Sequence, residues 1–188
     1  MPTEDELEQM LTARESPFTE EERELIRKAM KKDGKRVREI AESIAGKEPD
    51  DELLALYKGY CNELSEYDDE EYPEGQDERV LREYQANPDV KIHEITLDGA
   101  KIGFLILLTN KKVSDVIICE AYVLPAFRGN GYMSRTVEAA IKPYTSVRFV
   151  VFNQNPAKEF WEKVMKRIGR AKISSAPYER QFTEYLYW

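Results

Sequence analysis

With 188 residues, 41% of them hydrophobic, the chain is long enough for one ordinary domain, or a small domain with an appendage, and too apolar for global disorder. Its net charge of −8 is uneven: residues 1–88 hold 26 acidic and 13 basic side chains, hence −13, and residues 89–188 hold 10 and 15, hence +5. The acidic half argues against a nucleic-acid partner and allows a cationic one, while the cationic half suits an anionic ligand. No apolar run approaches the ~20 residues that span a membrane, and the amino terminus is acidic with no apolar leader run. A soluble cytoplasmic protein with no membrane partner is therefore expected. Cys61 and Cys119 fall in apolar periodic segments and read as reduced core thiols. A single histidine, His93, and no Cys/His cluster argue against a metal site.

Taken in order, residues 3–14 read as a short amphipathic helix. Thr19-Glu-Glu-Glu22 is a capping box that opens a helix ended by Asp33-Gly34, and Val37, Ile40, Ala41 and Ile44 mark the next, stopped by Gly46. A further helix follows Pro49, with Leu53, Leu54, Tyr57, Cys61 and Leu64 in helical register. These helices make residues 1–48 a helical appendage. They also faintly resemble a SANT or Myb-type three-helix bundle extending to about residue 64, without its basic recognition helix, so DNA binding is not expected. Residues 66–78 form an acidic loop, and a helix at about 77–86 ends at Asn87-Pro88.

The period then changes. Val90–Leu97 and Lys101–Leu108 flank Asp98-Gly99, a hairpin signal. Lys111-Lys112 turn into a third strand, Asp115–Leu124. A glycine loop follows, and a helix runs to about residue 142. Ser146–Phe152 is a fourth strand, and Asn155-Pro156 open a helix that buries Phe160, Trp161, Val164, Met165 and Ile168. Gln181–Trp188 reads as the last of five strands.

The glycine loop, Arg128-Gly-Asn-Gly-Tyr-Met133, carries the chemistry. Gly129 and Gly131 can adopt φ > 0 and admit a ligand close to the backbone. The free N–H groups of the next helical turn, at the positive end of the helix dipole, favour phosphate. Alone, such a loop says only that an anion binds near a helix start.

Two motifs together say more. Val123, Pro125 and Phe127 precede Arg128-Gly129-Asn130-Gly131, and the Asn155-Pro-Ala157 start leads into Phe160-Trp161-Glu-Lys163. Over residues ~50–188 this resembles the GNAT superfamily of acetyl-CoA-dependent N-acetyltransferases, nearest a bacterial branch with a Phe-Trp-x-Lys-Val helix. The resemblance implies an α+β GNAT fold for residues 49–188, a mixed central sheet flanked by helices. It further implies acetyl-CoA as co-substrate, without a metal, and transfer to a primary amine of a small molecule or peptide. The chain is expected as a monomer or homodimer. Loop N–H groups from Gly129 through Asn130, Gly131, Tyr132 and Met133 to Ser134 would take the pyrophosphate, with charge from Arg128. Backbone groups of Tyr122 and Val123, where the third and fourth strands splay near Ala121–Val123, would hold the pantetheine arm and the thioester carbonyl. Asn155 and Trp161 would complete the site.

Two departures stand out. Met133 replaces a small residue, and Trp161 occupies the position of a tyrosine that protonates the leaving thiolate in many members. Asp115 and Glu120 are the candidate bases for the ammonium proton, Glu120 if a bulge re-aims it. Tyr132, Tyr178 and Tyr185 are candidate acids. The other reading is a degenerate domain that holds acyl-CoA or a protein partner without turnover.

Overall fold

The computed structural model describes residues 50–67, 73–110, 114–178 and 181–188. The helices expected before Pro49, the centre of the acidic loop and the Lys111-Lys112 turn lie outside the described residues.

Helix α1 (Asp51–Leu64) starts where Asp50 Oδ1 accepts the N–H groups of Glu52 and Leu53 at 3.0 and 3.1 Å. Helix α2 (Gln76–Ala86) follows Gly75, which sits at φ 79°. Strands β1 (Val90–Leu97) and β2 (Ala100–Asn110) form the expected hairpin, with Asp98 and Gly99 both at positive φ, as a two-residue turn of this hand requires. Strand β3 (Asp115–Val123) leads through a short 3₁₀ turn, Pro125–Phe127, and the glycine loop into α3 (Tyr132–Ile141). Strand β4 (Ser146–Phe152), helix α4 (Ala157–Arg167), β5 (Lys172–Tyr178) and β6 (Phe182–Tyr187) complete the chain.

The strands form one mixed sheet in the order β1-β2-β3-β4-β6-β5. Only β3 and β4 pair in parallel, because α3 carries the chain across the sheet between them. Two cores result. Val137 and Ile141 of α3 with Trp161, Val164 and Met165 of α4 cover one face, packing on Leu105, Leu107, Val116 and Phe149. On the other face Leu53, Leu56 and Tyr57 of α1 and Leu81 of α2 pack on Phe104, Ile106 and Tyr122. Strand β2 is covered on both sides, so Phe104 to Leu107 are all fully buried, and its sequence is a continuous apolar run. No helix among the described residues is long and apolar enough to cross a membrane.

Strand β5 is a correction to the five strands expected. All seven of its residues are exposed, so it has no apolar alternation, and it contains Pro177. It occupies the sheet edge, antiparallel to β6, where a proline is tolerated.

Arg170, beyond α4, holds the α3–β4 turn. Its guanidinium donates to the carbonyls of Thr145 (2.8 Å), Ile141 (3.1 Å) and Tyr144 (2.6 Å). Arg170→Ala strands these acceptors at the C-terminal end of α3, and we expect a loss of about 2–3 kcal/mol in urea denaturation, smaller for Arg170→Lys.

Candidate active site

A parallel pair that parts company leaves backbone edges and a gap. Strands β3 and β4 pair from Asp115/Ser146 only to Ile118/Phe149, yet continue to Val123 and Phe152. The opening thus begins earlier than the Ala121–Val123 region expected. Its cause is a bulge: against β2, Leu107 pairs with Ile118 but Ile106 pairs with Glu120, so Cys119 is the extra residue. Strand alternation alone would put Val116, Ile118 and Tyr122 on one face. Instead Val116 and Ile118 join the α3/α4 core, and Tyr122 joins the α1/α2 core.

A cavity of about 910 Å³ occupies the gap. Its walls are Cys119, Glu120 and Ala121 of β3, Val150 to Phe152 of β4, one side of α1, the segment Pro73–Asp77 at the start of α2, and Asn155, Ala157 and Trp161 at the start of α4.

The bulge turns Glu120 toward α1 and α2. Its carboxylate accepts hydrogen bonds from the hydroxyls of Tyr60 and, at 2.9 Å, Tyr84. Desolvation raises the Glu120 pKa above the ordinary carboxylate value, and the two phenols offset only part of that rise. Burial first, and the Glu120 charge second, push the hydroxyls of Tyr57, Tyr60 and Tyr84 well up, so they remain phenols. The same causes raise Cys61 and Cys119 to about 11, which keeps both as thiols.

Asp115 lies at the closed end of the β3–β4 pairing, bonded by the Ser146 hydroxyl and outside the cavity wall. The two candidate bases are thereby separated, and only Glu120 faces the gap.

Around the glycine loop, Gly129 and Gly131 sit at φ 80° and 76°. Gly131 precedes α3 without a side-chain cap, leaving its first-turn N–H groups to a ligand. A Cβ on Gly129 would meet nothing within 4 Å, so its approach is open. Met133 is buried in the α3/α4 core with Val137 and Ile141, which answers the question its size raised: the side chain points away from the loop. Ser134 is buried beside it, and Asn130 folds its amide back on the Phe127 and Arg128 carbonyls. Tyr132 lies under the Arg135 guanidinium, 5.1 Å from ring centroid to charge, and does not line the cavity.

Arg128 reaches away from the loop. Its Nε donates to the Val123 carbonyl at 2.8 Å, Nη2 pairs with both oxygens of Glu63 on α1 at 2.7 and 2.8 Å, and the guanidinium covers the Tyr122 ring. The Tyr122 hydroxyl donates to the same Glu63. Asn155 Oδ1 accepts the Ala157 N–H at the start of α4. Trp161 packs its indole on Phe149, centroids 5.1 Å apart, and forms cavity wall. Of the candidate acids, Tyr178 is exposed on β5 and Tyr185 is stacked on Phe149, neither of them in the wall.

Sequence reasoning did not single out Tyr60, Tyr84 or Glu63 as site residues. The available signal was the helical register of α1, where Tyr60 and Glu63 follow Tyr57 by three and six positions. Among the described residues no group of three or more His, Cys, Asp or Glu side chains is arranged to hold a metal ion.

A mixed sheet split between β3 and β4, with a glycine loop opening the next helix, defines the fold class. Residues 51–165 match the Acetyltransferase (GNAT) family, and the chain belongs to it. Solved structures agree on the fold. An acetyltransferase from Thermus thermophilus is 16% identical over 71% of this chain and 86% of its own, with a TM-score of 0.55. A spermidine N-acetyltransferase chimera from Vibrio cholerae is 14% identical over 75% and 92%, TM-score 0.56. A GNAT-family acetyltransferase from Bacillus anthracis is 14% identical over 75% and 90%, TM-score 0.54. No curated protein matches the sequence.

The raised Glu120 pKa has a signed consequence. Below the ordinary carboxylate value, native and unfolded chains both hold the proton. Above it the unfolded chain releases its proton first, so the native state holds more and rising pH favours unfolding. Glu120→Gln removes this cost. In urea titrations the variant should gain on the parent as pH climbs from about 4.5 through the raised native pKa, and a constant difference would contradict the shift.

Proposed function

We propose that this chain is an N-acetyltransferase that moves the acetyl group of acetyl-CoA to a primary amine. The observation that carries this reading is the half-buried Glu120, a carboxylate of raised pKa facing the gap between two splayed strands. An alkylamine has a pKa of about 10.4 and arrives as ammonium. Glu120 takes that proton, directly or through water, and the free amine attacks the thioester carbonyl. Backbone N–H groups on the β3 edge near Tyr122 and Val123 stabilise the oxyanion, a task that needs no particular side chain. The acylated nitrogen gives up its second proton to water, and the carbon–sulfur bond breaks. With Trp161 in place of an acidic phenol, the thiolate draws its proton from the newly protonated Glu120 or from water. A carboxyl of raised pKa suits both halves of that exchange.

The loop residues fit the co-substrate. Free N–H groups from Gly129 to Ser134 take the pyrophosphate, and Met133, turned into the core, leaves the cradle open. Arg128, held by Glu63, spends its charge on α1, and its backbone N–H goes to the Pro125 carbonyl, so the cradle begins at Gly129. Residues 1–48, outside the family match, serve as an appendage. The competing reading, a domain that holds acyl-CoA without turnover, draws on Trp161, whose indole N–H is too weak an acid to protonate a thiolate.

Acetyl-CoA at about 100 times its Kd should raise the melting temperature by roughly 5–10 °C. Gly131→Glu should remove that shift, since its Cβ would meet Arg135 Nη1 at 2.9 Å and its carboxylate would face the pyrophosphate; persistence of the shift would move the site elsewhere. Glu120→Gln should lower kcat about 10²- to 10⁴-fold in a CoA-release assay with acetyl-CoA affinity intact, and Asp115→Asn should leave kcat within about twofold. A melting shift without CoA release from any amine would favour the binding domain.

A further inference from the structure

The cavity's walls are chemically one-sided. Among the described residues they hold three carboxylates, Glu74, Asp77 and Glu120, and no lysine, arginine or histidine. These acids stand at two places. Glu120 is on β3 in the gap between strands, and Glu74 and Asp77 flank Gly75 at the start of α2. Among the described residues no lysine or arginine pairs with Glu74 or Asp77. One turn of α1 links the two places: Tyr57 and Cys61 lie within electrostatic reach of both Glu120 and Asp77. The surface between them is mixed: Tyr57, Tyr60, Val80 and Phe152 supply apolar faces, and Asn62, Ser65 and Gln76 supply polar side chains.

Resting on the transferase reading above, we propose that the acceptor is an alkyl di- or polyamine, with one nitrogen delivered to Glu120 and a second, still charged, held by Asp77 and Glu74. The methylene chain between them lies against the aromatic wall, where apolar surface leaves water. Tyrosine faces there also attract the retained ammonium. A polyhydroxylated aminosugar lacks the methylene chain that would lie against these rings. A monoamine uses only half of the charge the cavity supplies.

The test uses the full chain and acetyl-CoA, with CoA release as readout, across 1,3-diaminopropane to 1,6-diaminohexane, spermidine, hexylamine, kanamycin and a lysine-containing peptide. Diamines or spermidine should exceed hexylamine at least tenfold in kcat/KM, and the best diamine length measures the spacing between the two acidic places. The double variant Glu74→Gln/Asp77→Asn should lower the ratio of diamine to hexylamine kcat/KM about five- to tenfold. Equal use of hexylamine, preference for kanamycin or for the peptide, or an unchanged ratio in the double variant would overturn the assignment while leaving acetyl transfer standing. If acetyl-CoA raises the melting temperature but no amine releases CoA, the transferase reading falls and this one with it.

Discussion

One extra residue in one strand governs the site. Strand β3 must serve two cores, because α3 and α4 cover one face of the sheet and α1 and α2 the other. A regular strand would commit its even-numbered residues to a single face from end to end. The bulge at Cys119 breaks that commitment midway. Before it, Val116 and Ile118 fill one core; after it, Glu120 and Tyr122 turn to the opposite side. The same residue marks the end of pairing with β4. A carboxylate and an open strand edge therefore arise at one point, from one irregularity.

Charge is sorted by the same geometry. The glycine loop and the first turn of α3 offer N–H groups on the side of α3, while the cavity's carboxylates reside on β3 and at the start of α2. Donors for an anion and acceptors for a cation thus come from different elements.

Much of the fold was legible because local signals and tertiary demands agreed. Asp98-Gly99 dictated a two-residue hairpin, and the structure places both residues at positive φ. Asn155 was readable as a helix start, and its side chain does accept the Ala157 N–H. Strand β5 was not legible, since a fully exposed edge strand with Pro177 has neither alternation nor high strand propensity; only its ladder to β6 defines it. In the site, the loop was visible from its glycines, and a bulge was anticipated as the means of re-aiming Glu120. Its position could not be read, because a register shift depends on how β2 lines up with β3. Tyr60 and Tyr84 escaped for a related reason. Each sits on a helix whose apolar face explains a tyrosine adequately, and only the packing of α1 and α2 over β3 brings both hydroxyls to one carboxylate.

Arg128 touches three parts of the molecule at once: the end of β3 through the Val123 carbonyl, the Tyr122 ring, and α1 through both oxygens of Glu63. Glu63 lies one helical turn beyond Tyr60. The glycine loop, the end of β3 and the helix that carries Tyr60 to Glu120 are therefore joined through one guanidinium. Glu63 also accepts the Tyr122 hydroxyl, so the seating of α1 on the sheet depends on a side chain that the loop supplies.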